Sequence, residues 1–229
     1  MATAKKTVAL YQLQRATFEV PIIGTTPLIT NKFSEKAARM IQDKQAQKTK
    51  TKKKEARDPE AEFQAAAHLL NGTKCGEKGA ARLLNGKKCG EKGCRYGFPA
   101  IGFKKAAVGA ARHIDGLTMA ELYGAFHVLP DEGDNVEIYA TEVVMRTDTV
   151  RIGQGTTDLR YRPEFRNWCA LLSVDVNTAS ISEEQVMNCI NIGGFSGGIG
   201  DWRPERKGHF GMYRVAPKKE FDQLKARCG

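Results

Sequence analysis

The sequence predicts an α+β protein built on an antiparallel sheet, and three observations predict it. Apolar residues alternate at Phe18, Val20 and Ile22 in "ATFEVPIIG", and strand-like runs recur in "NVEIYATEVVMR" and "FRNWCALLSVDVN". Between them lie two segments with helix signals, the small-residue run "PAIGFKKAAVGAARHIDG" and the capped stretch "SISEEQVMNCINIGG". With 229 residues the chain has length for a real core, in one large domain or two small ones.

The first strand is expected to end near Gly24. Ser34 is placed to cap a helix, "EKAARMIQDKQAQ", that runs into "KTKTKKKEAR". From Lys32 to Arg57 there are ten positive and three negative side chains, with few apolar positions in the second half, so an exposed or disordered basic arm is expected there. Lys32, Lys36, Arg39, Lys52, Lys53 and Lys54 are its candidate contacts to a nucleic acid. Order restarts at Asp58-Pro59, with Asp58 as N-cap and Pro59 at the first helical position of "PEAEFQAAAHLL". A repeat follows: "LLNGTKCGEKG" at 69–79 and "LLNGKKCGEKG" at 83–93 match at ten of eleven positions. It reads as a duplication in a tolerant loop. A zinc site from Cys75, Cys89 and Cys94, with His68 or His113, lacks paired CxxC spacing, so no metal is expected.

A close-packed helix is predicted from about 99 to 113, ending near Gly116, with Ile101, Ala106 or Val108, and Ala110 on its buried face. His113, beside Arg112, reads as a helix-end residue. "YGAFHVLP" and "NVEIYATEVVMR" flank the turn "DEGDN" as two strands, the second closing on Arg146. "TDTVRIGQGTTDLRYRP" reads as a polar loop presenting Arg151, Arg160 and Arg162. After the strand "FRNWCALLSVDVN", Ser182 and Gln185 form a capping box for a helix with a glycine stop. Tyr213 and Val215 mark a last strand, and "PKKEFDQLKARCG" a surface helix.

Set in order, these elements follow the split β-α-β pattern of ferredoxin-like and RRM-like domains. Residues 1–31 and 99–216 would form that core. Residues 32–98 would be a large basic insertion, and 217–229 a tail. Helices on one face of such a sheet leave the other free for a ligand, the face that binds nucleic acid in RNA-recognition modules.

The formal net charge is +10, from 36 Lys+Arg against 26 Asp+Glu. That excess favours nucleic acid, an anionic surface or an acidic protein as partner. No signal-peptide pattern is present, and no apolar run reaches the roughly 18 residues that span a bilayer. Cysteines 75, 89, 94, 169, 189 and 228 without export signals read as reduced thiols, and the expected location is the cytoplasm, away from membranes.

The stretch "GGFSGGIGDWRPERKGHFGMYRV", 193–215, holds seven glycines in its first nineteen positions. A Rossmann loop would need a third glycine at Arg203 and a following helix, and no Walker Gly-Lys-Ser/Thr occurs, so no cofactor is expected. A flexible hairpin remains, in which Gly198, Gly200, Gly208 and Gly211 frame Trp202, Arg203, Arg206 and Lys207. Backbone amides, cations and an indole in one loop suit phosphates and a stacked base.

Gly198-Ile199-Gly200, a basic spacer, then Gly208-His209-Phe210-Gly211 resemble the C-terminal glycine-rich loop of the repeat-associated mysterious protein (RAMP) superfamily. The second half is one residue longer than that pattern. "FEVPIIGTTPLITNKF" is similar to the first strand and following loop of RAMP backbone subunits of CRISPR effector complexes, and 32–98 sits where those carry a thumb. A stand-alone phage-type relative would look the same. The resemblance implies a protein that binds single-stranded RNA or DNA and assembles as a homo-oligomer along the strand, with other effector subunits as further partners. Backbone subunits that cut RNA use an aspartate in the loop after the first strand, and "GTTPLITNKFSEK" has none, so catalysis is not expected. A RAMP-type endoribonuclease and an interaction or inhibitory protein for an acidic partner are the alternatives.

Overall fold

A computed structural model describes residues 13–33, 41–43, 45–46, 57–70, 95–152 and 156–228. Seven strands form one antiparallel sheet: β1 (Arg15–Gly24), β2 (Leu28–Ile29), β3 (Tyr96–Pro99), β4 (Phe126–Leu129), β5 (Asn135–Ile152), β6 (Thr156–Asn177) and β7 (Tyr213–Val215). The order is β3-β5-β6-β1-β7, with β2 and β4 also pairing β6. The helices are α1 (Pro59–Ala66), α2 (Ala100–Gly109), α3 (Met119–Ala125), α4 (Glu183–Ser196) and α5 (Lys218–Arg227). Among the described residues, no helix is long and apolar enough to cross a membrane.

The caps written in the sequence form. The Asp58 carboxylate accepts from the Glu60 and Ala61 amides at the start of α1, and Ser182 and Gln185 cap α4 reciprocally. The α4 helix does not stop at Gly193. It continues to Ser196, and glycine is needed within it: a Cβ at Gly193 would meet Ala106 O at 2.4 Å and one at Gly194 would meet Tyr213 O at 2.3 Å. These glycines let α4 close on α2 and β7.

Alternation divides the sheet into two faces. Val20, Ile22, Ala170 and Leu172 join Phe63 of α1, Phe103 of α2, Leu122 of α3 and Ile190 of α4 in the main core. Ile23 and Cys169, one residue out of phase, pack instead with Ala216 and Phe221 of α5. The sheet face expected to be open is therefore partly covered by α5. The rest of that face holds a depression of about 230 Å³ lined by Glu19, Asp131, Glu137, Tyr139, Leu171 and Ser173. Three carboxylates in that lining disfavour a phosphate chain.

Three further expectations are corrected. The polar loop 147–163 is a ladder: β5 and β6 pair from Tyr139↔Cys169 to Ile152↔Thr156, making a long two-stranded hairpin. Residues 96–99 form β3 along β5, and residues 119–125, partly assigned to a strand, form α3 behind a Thr118–Glu121 capping box. Ile101 is 51 % exposed, because Phe103, Ala106, Ala107 and Val108 face the core instead. Of the helix expected after Ser34, residues 41–43 and 45 are helical and most of the remainder lies outside the described residues.

Candidate nucleic-acid interface

The glycine-rich stretch is not a strand hairpin. It is a loop tied by backbone hydrogen bonds to itself and to the segment after β1. Gly211 N donates to Pro27 O at 2.7 Å and Asp201 N to Ile29 O at 2.9 Å, while Ile199 N reaches Gly211 O and Phe210 N reaches Trp202 O. Two glycines show why no other residue serves. A Cβ at Gly208 would lie 1.7 Å from Trp202 O, and one at Gly211, whose φ is 68°, would lie 1.8 Å from Ile199 O. Gly198 and Gly200 also have positive φ. The glycines serve close approach of the chain to itself, and other side chains of the loop are left facing outward.

Foremost of these is Trp202. Its backbone lies in the left-handed region at φ 56° and its side chain is 45 % exposed. Trp168, in contrast, is fully buried and donates from Nε1 to Thr26 O at 2.8 Å. A short 3-10 turn, Pro204–Arg206, follows Trp202, and Lys207 ends it at φ 62°. Arg206 and Lys207 are exposed and form no ion pair among the described residues. Arg203 turns back into the loop, donating to Gly200 O at 3.0 Å and pairing with Glu205 at 2.8 Å.

The arginines of the β5–β6 hairpin divide by face. Arg146 pairs with Asp148 at 2.7 Å and Glu164 at 3.0 Å, and its guanidinium stacks 4.7 Å from the Phe210 ring. Arg162 is buried between Asp148 and Asp201, at 3.5 and 3.4 Å. Arg166 extends the series to Glu164 and Glu142. Burial alone would push the Glu164 carboxyl up, but its bonds to Arg166 and Arg146 hold it below the usual range. This ladder fixes the loop to the sheet through Asp201 and Phe210, and its four acids, Glu142, Asp148, Glu164 and Asp201, and its one ring were not singled out from the sequence. The signal was there: Arg146 and Asp148, then Asp158 through Arg166 at every second position, is the period of one strand face. Arg160 pairs with Asp158 at 3.3 Å. Arg151 lies on the opposite face with exposed Thr149, Thr157 and Leu159, free of ion pairs among the described residues.

Of the basic segment, Lys32 is exposed and its amide donates to Ala66 O at 2.9 Å. Lys36, Arg39, Lys52, Lys53 and Lys54 lie outside the described residues, as do Cys75, Cys89 and Cys94. Among the described residues no group of three or more His, Cys, Asp and Glu is placed to hold a metal.

No family model matches the sequence, and no curated protein does. Among solved structures, the chain is similar to Cmr6 from Pyrococcus furiosus, with TM-score 0.34 and 11 % identity over 90 % of this chain and 100 % of that one.

Proposed function

We propose that the protein binds single-stranded nucleic acid, RNA foremost, without cutting it, and that copies assemble side by side along the strand. The observation that carries this reading is Trp202: an indole left 45 % exposed, at positive φ, on a loop whose other parts are fixed by hydrogen bonds. Strained, exposed aromatic residues on rigid supports are where binding sites are found. A base stacked on the indole is worth roughly 1–3 kcal/mol. Arg206 and Lys207, exposed beside it, supply phosphate contacts, and the net charge of +10 supplies the long-range attraction.

The core is read as a ferredoxin-like unit of RAMP type. In support, β7-β1-β6-β5 are neighbours in that order, with α2 lying between β1 and β5 in the chain and α4 between β6 and β7. The loop that carries the Gly198-Ile199-Gly200 motif lies against the segment after β1, with Asp201 N donating to Ile29 O and Gly211 N to Pro27 O.

The test is a binding series with labelled single-stranded RNA, single-stranded DNA and duplex, read by gel shift and by indole fluorescence. Single strands should bind more tightly than duplex, and Trp202→Ala should weaken binding at every salt concentration. Equal or tighter duplex binding, or unchanged binding by Trp202→Ala, would overturn the reading. Cleavage of the labelled RNA would turn it toward an endoribonuclease, and failure to bind any strand toward an acidic protein partner.

A further inference from the structure

The C-terminal helix lies on the sheet through a small core of its own. Phe221 is buried against Ile23, Cys169 and Ala216, Leu224 packs beside them, and the Tyr139 and Phe221 rings meet edge-on at 6.5 Å. Lys225 reaches over the Tyr139 ring at 4.2 Å. One helical turn beyond Leu224 stands Cys228, the C-cap, whose Sγ donates to Leu224 O at 3.2 Å. A residue four positions on shares the face of Leu224, and that face looks down on Cys169. Cys169 is the donor and the Cys228 sulfur the acceptor where the two thiols meet. Cys169 is fully buried in the middle of β6, while Cys228 is half-buried at the helix end.

We infer that Cys169 and Cys228 are a redox modification site, closed into a disulfide that clamps α5 to the sheet. Burial sets the order of events. Only Cys228 can be reached by an external oxidant of the low-molecular-weight disulfide class, RS–SR. Its thiol is also the more acidic: the hydrogen bond from Cys169 holds Cys228 below its ordinary value and pushes Cys169 up. The Cys228 thiolate attacks one sulfur of RS–SR, the external S–S bond breaks and RS⁻ departs, leaving a mixed disulfide. Cys169 then attacks Cys228 Sγ, forms the internal S–S bond and expels the second RS⁻. The protons of the two cysteines end on the two released thiols. The two protein thiols are oxidised by two electrons, and RS–SR is reduced to two RSH.

The experiment uses the full chain, reduced, then incubated with oxidised glutathione, alkylated, digested without reductant and mapped by mass spectrometry. A cross-linked peptide pair containing Cys169 and Cys228, released by dithiothreitol, is expected. The closed loop should raise the melting midpoint by about 5 °C or more in the native sequence. No rise should occur in Cys228→Ser, whose change is at a partly exposed position. Stable glutathione on Cys228 with Cys169 still alkylated would overturn the inference. So would an unreacted Cys228, or a link from Cys228 to Cys75, Cys89 or Cys94. Peptide mapping of the native sequence decides even if the variant folds poorly.

Discussion

Trp168 and Trp202 are the same residue type in opposite circumstances, and they make opposite predictions. Trp168→Ala removes a fully buried indole and should cost about 3–5 kcal/mol in urea denaturation. Trp202→Ala removes an exposed one and should shift stability by no more than about 0.5 kcal/mol, so its loss of binding is separable from unfolding. The glycines of the same loop behave unlike Trp202. At Gly211, an alanine Cβ would need both a φ of 68° and the space held by Ile199 O. Gly211→Ala should therefore cost at least about 2 kcal/mol, read as a lower urea midpoint, and Gly208→Ala should do likewise. The contrast was half legible in the sequence. Trp168 sits in an apolar strand run and Trp202 among glycines and charges. The glycines, however, could equally have approached a ligand, and only the carbonyls of Trp202 and Ile199 show that they approach the chain.

At the scale of elements, two acid-sensitive packings have distinct pH windows. His68, at the end of the chain segment after α1, is lowered to about 4 by burial and by the charge of Lys32, and its ring packs edge-on to Phe98. The unfolded imidazole takes its proton near pH 6.5, so stability should fall as pH drops from about 6.5 to about 4. His68→Phe should flatten that window. Glu164, held below the usual range, contributes fully above its unfolded value near about 4.3 and loses that contribution as pH falls through the lower folded value. Glu164→Gln should flatten the second window and leave the first. Thermal melts at stepped pH check both. The elements that the sequence announced are those whose ends carry side-chain caps or whose faces alternate apolar with polar, such as α1, α4, β1 and the second half of β6. The β5–β6 hairpin beyond Arg146 was illegible as strand because one face replaces apolar residues with paired Arg and Asp or Glu. The α3 helix was missed although Thr118 and Glu121 stand at capping-box spacing before it.

For the molecule as a whole, the charge of +10 is unevenly available. Arg146, Arg162 and Arg203 already hold carboxylates, whereas Arg151, Arg206 and Lys207 hold none among the described residues. Replacing those three with Gln should flatten the slope of log K against log salt on single strands by up to about two units. Replacing four of Lys48, Lys50, Lys52, Lys53 and Lys54 should flatten it by up to about three. Arg146→Gln should leave the slope in place and lower the melting midpoint. Topology adds a constraint of another kind. The segment that closes β1 and leads to β2 takes its partners from far along the chain: Trp168 to Thr26 spans 142 residues, and Met212 to Thr26 spans 186. At about 5–20 residues per second of synthesis, β1 leaves the ribosome on the order of ten seconds before β6 exists to pair with it. During that wait "FEVPII" is a bare, β-prone stretch, the kind that recruits copies of itself. Glu19, which pairs with Lys218 of α5 in the finished sheet, and Pro21 then have a meaning in the nascent chain as well. A carboxylate and a residue with no amide to donate keep the nascent segment from pairing with the wrong chain until its own arrives.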